Sequence, residues 1–329
     1  MSHGVPRVSS KRDDERDRKS IDDYQALVQQ VNAQMQAQEY TSDTLALTSR
    51  LLSINPEFYT AWNHRRKLLS HLMATSAAPG VDLITADLAF LIPLLKLYPK
   101  CYWLWNYRIW LLEQAELYAP KEALAIWRGE LALVAHMLTR DERNFHGWGY
   151  RRRVVMAVER LEGTSLAEEE LVYTGAAIRR ALQNFSAFHY RSKLLGRVLD
   201  ERGATDAQRR RVFDNELDIS QEALVDPFNQ SAWFYHQFLM RCVVEQTILR
   251  LTTAEKAAYF ESEMARVEEM LEDYDDCKWI YQALLQYAME FHKLRPEAVA
   301  CSKLQSWLSH LRRLDPLRAG RWADLETTL

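Results

Sequence analysis

The chain has 329 residues, 48% hydrophobic and 26% charged, enough apolar content for a large buried core and the ordinary balance of a soluble globular protein. A formal net charge of −3 supplies no positive field for nucleic acid, so no nucleic-acid partner is expected. The longest apolar run, Leu88 to Leu95, is far short of the roughly 20 residues that span a bilayer, and the N-terminus lacks the apolar core of a signal peptide.

Four cysteines, Cys101, Cys242, Cys277 and Cys301, lie far apart with no C-x-x-C pair. That pattern points to packed thiols in a reducing, cytoplasmic setting and to no disulfide framework.

Residues 1–19 read as a flexible, charged lead-in, because Ser9 to Lys19 holds no apolar side chain. Residues 20–329 read as a single repeat domain. Its first helix follows from the apolar face of Ile21, Tyr24, Leu27, Val28, Val31 and Met35. Next, Leu45, Leu47, Leu51 and Leu52 make a helix that Asn55-Pro56 ends, since the residue before proline leaves the helical region. A second helix carries Trp62 and Arg65 and the apolar tail Leu68, Leu69 and Leu72.

The same unit then recurs. Tyr98-Pro99 precedes Trp105 and Arg108; Asp141-Glu142 precedes Trp148 and Arg151; Asn184 precedes Phe188 and Arg191; Asp226-Pro227 precedes Trp233 and His236. Two weaker copies centre on Trp279 and on Trp322, the last behind Asp315-Pro316. Loops are expected at Ala74–Gly80, Glu162–Ser165 and Glu201–Asp206.

The anchors recur every 40 to 46 residues, too long for a tetratricopeptide repeat and right for two helices with two turns. A lone hairpin cannot bury both its faces, but stacked neighbours can. The predicted fold is therefore all-α, an α-α superhelix or solenoid of about seven helical hairpins. Aromatic residues three before the anchor, Tyr59, Tyr102, Phe145 and Phe185, are expected to pack between hairpins. The arginines three after the anchor are expected to meet carboxylates or carbonyls.

The tandem pattern Pro-x5-Trp-x2-Arg resembles the protein prenyltransferase α-subunit repeat, over roughly residues 40–329. Within that family the chain is similar to the α subunits of the type II, Rab-directed geranylgeranyltransferases. The likeness is carried by Leu45-Ala46-Leu47-Thr48, by Asp141 to His146, by Asp226 to His236 and by the short N-terminus opening on His3-Gly4. The chain ends after its last repeat, as in the compact version of this subunit.

The resemblance implies a heterodimer with a β subunit that holds the catalytic zinc and the lipid cavity. Geranylgeranyl would pass from geranylgeranyl diphosphate, at the subunit interface, to C-terminal cysteines of Rab GTPases presented by a Rab escort protein. This chain's nine histidines and four cysteines show no zinc-like spacing, and it has neither a Gly-rich phosphate loop nor a G-x-S-x-G elbow. No cofactor is expected on it, and alone it should be inert.

Three residues match the family's α-side site positions. Lys100, in Pro99-Lys100-Cys101-Tyr102, matches a lysine that reaches the isoprenoid diphosphate, where a fixed cation steadies the charge that grows as diphosphate leaves. Tyr102 and His146 match positions near the substrate channel. Trp103 departs from the farnesyltransferase-type pattern, which places a glutamine there to hold the C-terminal carboxylate of a C-a-a-X substrate. Indole cannot replace that amide, which speaks against the α subunit shared by farnesyltransferase and the type I enzyme. A non-enzymatic helical scaffold is the alternative of another class, against which Lys100 beside Tyr102 argues. His3 is a candidate metal contact, on an N-terminal arm able to reach a partner's zinc.

Overall fold

The structure, a computed structural model, describes residues 14–75, 80–296 and 298–327. Among these every regular element is helical. The chain divides into two compact units, Met1–Thr164 and Ser165–Leu329.

The first unit holds α1 (Asp14–Ala37), α2 (Ser42–Ile54), α3 (Tyr59–Thr75), α4 (Gly80–Leu97), α5 (Tyr102–Tyr118), α6 (Pro120–Arg140) and α7 (Phe145–Glu162). The second holds α8 (Ala167–Arg180), α9 (Phe185–Glu201), α10 (Asp206–Ala223), α11 (Gln230–Glu245), α12 (Thr253–Glu269), α13 (Lys278–Leu294), α14 (Cys301–Leu314) and α15 (Ala319–Glu326). From α2 onward the helices pair as seven hairpins: three in the first unit behind α1, four in the second. Within each unit, second helices also pack side by side, α3 on α5 on α7 and α9 on α11 on α13.

Three second helices, α7, α9 and α11, start the same way. Asn144, Asn184 and Asn229 accept main-chain N–H bonds from residues two or three further on, satisfying donors that the first helical turn leaves open. Their amides also look backward: Asn144 Nδ2 donates to Pro99 O at 3.0 Å and Asn229 Nδ2 to Leu182 O at 2.8 Å. Cys101 and Cys277 fill the cap position with thiols that donate instead to Pro56 O and Pro227 O. The caps at Asn144, Asn229, Cys101 and Cys277 are thereby each tied to the turn of the preceding hairpin. Gly163 ends α7 in the left-handed region at φ 72°, which costs glycine nothing.

The anchors are buried, and their indoles are satisfied locally. Trp62, Trp105, Trp148 and Trp233 each donate Nε1 to the carbonyl six residues earlier, at 2.8–2.9 Å. Trp322 does so to Asp315 O, seven residues earlier. The sixth hairpin differs from its sequence reading: Tyr281, not Trp279, spans the six-residue step, donating its hydroxyl to Asp275 O at 3.0 Å. Trp279 enters two residues too early and instead carries Lys278 and Arg318 over its ring.

The arginine after the anchor ties three helices together. Arg65 on α3 donates to Leu45 O and Thr48 of α2 and to Asp87 of α4, which also accepts from Tyr107 of α5. Arg108 on α5 repeats this with Leu88 O, Glu130 and Tyr150, and Arg191 on α9 with Leu171 O, Glu216 and Tyr235. Burial alone would lower the pKa of Arg108, but the bonds and charge of Glu130, with Tyr150, more than reverse that and raise it. In the fifth hairpin His236 takes the arginine's place, between Glu263 at 3.0 Å and Tyr287 at 2.6 Å.

α1 starts at Asp14, seven residues before the apolar face that signals it. Its first two turns are charged, and where side chains are described there they face solvent, so burial does not set this end. Part of the lead-in expected to be flexible is thus helical. The expected loop after Ala74 falls largely outside the described residues; those after Glu162 and Glu201 lie where expected.

Arg108→Ala should destabilise the chain by about 3–5 kcal/mol, because it leaves the buried Glu130 without its partner. Arg108→Met combined with Glu130→Leu should recover much of that loss in chemical denaturation. Glu263 gives a pH signature. Burial pushes its pKa up, but the bond and charge of His236, with Gln221 and Arg266, outweigh burial and hold it below the ordinary glutamate value. Its stabilisation is present above the unfolded value of about 4.3 and is lost as pH falls through the lower folded value. Glu263→Gln should therefore lower stability at pH 7 and flatten the acid limb of a stability–pH curve.

Candidate functional site

The turn between α4 and α5 carries Lys100, and the Asn144 bond to Pro99 O holds that turn against the start of α7. The Lys100 side chain is 77% exposed, with Nζ 3.9 Å from Asp141 Oδ2, a loose surface pairing worth little. Tyr102 opens α5 and His146 lies in the first turn of α7, their rings 6.1 Å apart. Stacking of the second and third hairpins thus brings together three residues that span 46 positions of sequence.

The aromatics three before the anchors are not an internal ladder. Tyr59, Tyr102, Phe145 and Phe185 are 52%, 52%, 80% and 47% exposed. Three residues leave a helical side chain about 60° off its anchor's direction, and side chains in the first turn lean toward the helix N-terminus, so these rings overhang the helix ends. Trp103, half-buried, stacks on Tyr59 at 5.5 Å and meets Tyr102 edge-on at 5.2 Å. The result in the first unit is an exposed aromatic shelf of Tyr59, Trp103, Tyr102 and Phe145 beside Lys100.

Next to the shelf a hollow of about 440 Å³ opens among α3, α5 and α7, lined by Tyr102, His146, Arg66, Trp110 and Arg153 among others. Arg66 donates to Asn106 Oδ1 at 2.6 Å and lies over Tyr107 and Trp110, 5.5 and 5.9 Å from the ring centroids. Its burial lowers its pKa from the ordinary arginine value. Arg153 pairs with Glu113 at 2.8 Å. Lys100 is not part of this lining: it stands on the turn, facing solvent.

Arg66 and Asn106 escape a sequence reading because each follows a stronger signal, Arg65 or Trp105, by one residue. The chemistry on offer here is the solvent-exposed ammonium of Lys100, a phenol and an imidazole beside uncovered aromatic surface. Among the described residues no three His, Cys, Asp or Glu side chains are grouped to hold a metal ion, and no helix is long and apolar enough to cross a membrane. His3 lies outside the described residues.

A protein-family model, the protein prenyltransferase alpha subunit repeat, matches residues 41–72, 84–115, 127–158 and 167–198, the first four hairpins. The chain is 33% identical to the geranylgeranyl transferase type-2 subunit alpha of Schizosaccharomyces pombe, over 98% of this chain and 97% of that protein. It is 31% identical to the Saccharomyces cerevisiae protein of the same name, over 94% and 92%. To the rat protein of that name it is 39% identical over 66% of this chain, which corresponds to 37% of the longer rat sequence. Among solved structures, a chain of Candida albicans protein geranylgeranyltransferase-I complexed with GGPP shares the fold, with a TM-score of 0.63 at 21% identity, covering 98% of this chain and 93% of that one. Full-length identity with the yeast proteins and four tandem repeat matches lead to one assignment: the chain belongs to the protein prenyltransferase alpha-subunit family, in its type-2 geranylgeranyl transferase branch.

Proposed function

We propose that this chain is the α half of a heterodimer whose β subunit carries the zinc and the lipid cavity, and that the pair transfers geranylgeranyl from its diphosphate to C-terminal cysteines of Rab GTPases presented by an escort protein. The single observation that carries the reading at this site is the exposed shelf with Lys100 at its edge. A solvated cation with only a loose acidic neighbour, beside uncovered aromatic side chains, fits an anionic lipid head group held by a partner.

In this reading Lys100 meets the diphosphate. Negative charge builds on that group as the bond to the lipid's first carbon breaks, and the ammonium stabilises the growing charge more than the ground state. The Tyr102 hydroxyl offers a neutral hydrogen-bond donor beside it, and His146 orders the edge of the hollow that Tyr102 lines. Zinc chemistry belongs to the partner in this reading, since no three His, Cys, Asp or Glu side chains among the described residues are grouped to hold the ion.

Lys100→Ala should leave folding and β association intact and slow single-turnover transfer by about 30- to 1000-fold, the loss of roughly 2–4 kcal/mol of transition-state stabilisation. Lipid affinity should fall much less than the rate. Transfer at the wild-type rate would make Lys100 an ordinary surface lysine.

Reconstitution tests the whole reading. The purified chain alone should bind no stoichiometric zinc and transfer nothing. With β subunit, escort protein and labelled geranylgeranyl diphosphate, label should reach a Rab protein and not a C-a-a-X peptide. Preferential labelling of the peptide would favour the farnesyltransferase-type α subunit, and failure to recover any zinc-containing partner in a pull-down would favour a scaffold.

A further inference from the structure

A lysine side chain is a point charge on a flexible stem. What fixes the reach of Lys100 is therefore the main chain that carries it, and that main chain is held from outside its own hairpin.

The holder is Asn144, 5% exposed at the start of α7. Its Nδ2 donates at 3.0 Å to Pro99 O, the carbonyl of the peptide group whose N–H belongs to Lys100. The same Nδ2 lies 3.3 Å from Asp141 Oδ2, the oxygen that is 3.9 Å from Lys100 Nζ. Its Oδ1 accepts from Gly147 N at 2.9 Å and so fixes the first turn of α7, where His146 sits. One buried amide thus touches the lysine's peptide group, the carboxylate beside its ammonium, and the helix turn of the imidazole.

Trp105 Nε1 supplies a second bond to Pro99 O, at 2.9 Å, which occupies both lone pairs of that carbonyl. Two matching turns are held less firmly. Pro56 O, ahead of Glu57, and Pro227 O, ahead of Phe228, also take the indole bond, but their second donor is a thiol, Cys101 at 3.5 Å and Cys277 at 3.0 Å. A thiol is a weak donor and an amide a full one. Of these three turns, the one that carries the cation is the one pinned by an amide.

We propose that Asn144 is a positioning residue for the transfer reaction: by holding the Pro99–Lys100 peptide group it presents the Lys100 ammonium to the diphosphate as the bond to the lipid breaks. The inference rests on the reading of Lys100 above and deepens it. A cation already in place stabilises growing charge without reorganising first, whereas a loosened one must be brought into position at that moment. The loss of Asn144 therefore appears in the rate of transfer and acts through Lys100.

Asn144→Ser tests this, because serine caps a helix about as well as asparagine but is too short to reach Pro99 O. Single-turnover transfer by the reconstituted heterodimer should slow about fivefold or more. In a Lys100→Ala background the same substitution should slow transfer no further, since residues that act as one unit are not additive. Asn229→Ser is the control. It removes the like bond from Asn229 Nδ2 to Leu182 O in the second unit, where Gln183 and not a lysine follows the bonded carbonyl, and it should leave the rate at the wild-type value.

Transfer at the wild-type rate by Asn144→Ser overturns the proposal. Equal slowing in the Lys100→Ala background does the same and makes Asn144 a brace of the fold alone, as does matching slowing by Asn229→Ser. Should Asn144→Ser not fold, Asn144→Gly, which costs a helix start little, decides on the same terms. If Lys100→Ala itself transfers at the wild-type rate, the reading of Lys100 falls and this inference with it. Slow transfer by Lys100→Ala beside unimpaired transfer by Asn144→Ser overturns this inference alone.

Discussion

Three hairpins of this chain are each completed by a charge that the next hairpin supplies. The guanidinium of Arg65 or Arg108 sits on the second helix of one hairpin, and the carboxylate that neutralises it, Asp87 or Glu130, sits on the first helix of the next. A tyrosine from that next hairpin, Tyr107 or Tyr150, holds the carboxylate in place. Arg191, Glu216 and Tyr235 repeat the arrangement in the second unit. Neither ion would be tolerated in these cores alone, since an unpaired buried charge is far more costly than a paired one. Hydrophobic contact between hairpins would allow sliding by a residue or two; bidentate bonds between guanidinium and carboxylate do not. The register of the stack, and with it the meeting of Lys100, Tyr102 and His146, depends on these clusters.

Where the arginine is replaced, the logic survives in a different chemical form. His236 bridges Glu263 and Tyr287 with its two ring nitrogens. Imidazole offers two bonding directions against the guanidinium's five donors, and it makes no bond to the first helix of its own hairpin comparable to those of Arg108 or Arg191. The fifth hairpin is thus joined forward to the sixth by a lighter connector.

The repeat itself was legible because its strongest mark is a local rule: an indole that reaches a carbonyl six residues back demands a tryptophan at a fixed step from the turn. The rule misled once, at Trp279, where a tyrosine two residues on makes the same reach with its hydroxyl. Other features were hidden for reasons of geometry. Periodicity shows that Tyr59, Tyr102, Phe145 and Phe185 recur, but not that they overhang the helix ends into solvent. The partners Asp87, Glu130 and Glu216 lie 22 to 25 residues from their arginines among many other acidic side chains, with nothing local to mark them. Of the candidate site, Lys100, Tyr102 and His146 stood out through family resemblance, while the hollow that Tyr102 and His146 share with Arg66 is a product of stacking.

The backward bonds of the helix caps have a consequence for where this architecture can change length. Asn144 and Asn229 tie the turn inside one hairpin to the turn inside the hairpin before it, and Cys101 and Cys277 do the same through sulfur. Within each unit those turns therefore form an edge in which each segment's length is fixed by the next. The opposite connections, from a second helix to the following first helix, are held by side chains instead of caps, Arg202 on Glu168 and Arg209 on Ile248 O, and differ widely in length, from the single residue Ala119 between α5 and α6 to the seven residues between Glu245 and Thr253. Additional sequence, whether a longer loop or a whole inserted domain, fits along that second edge without disturbing the register, whereas one residue added along the first would break a cap on either side of it.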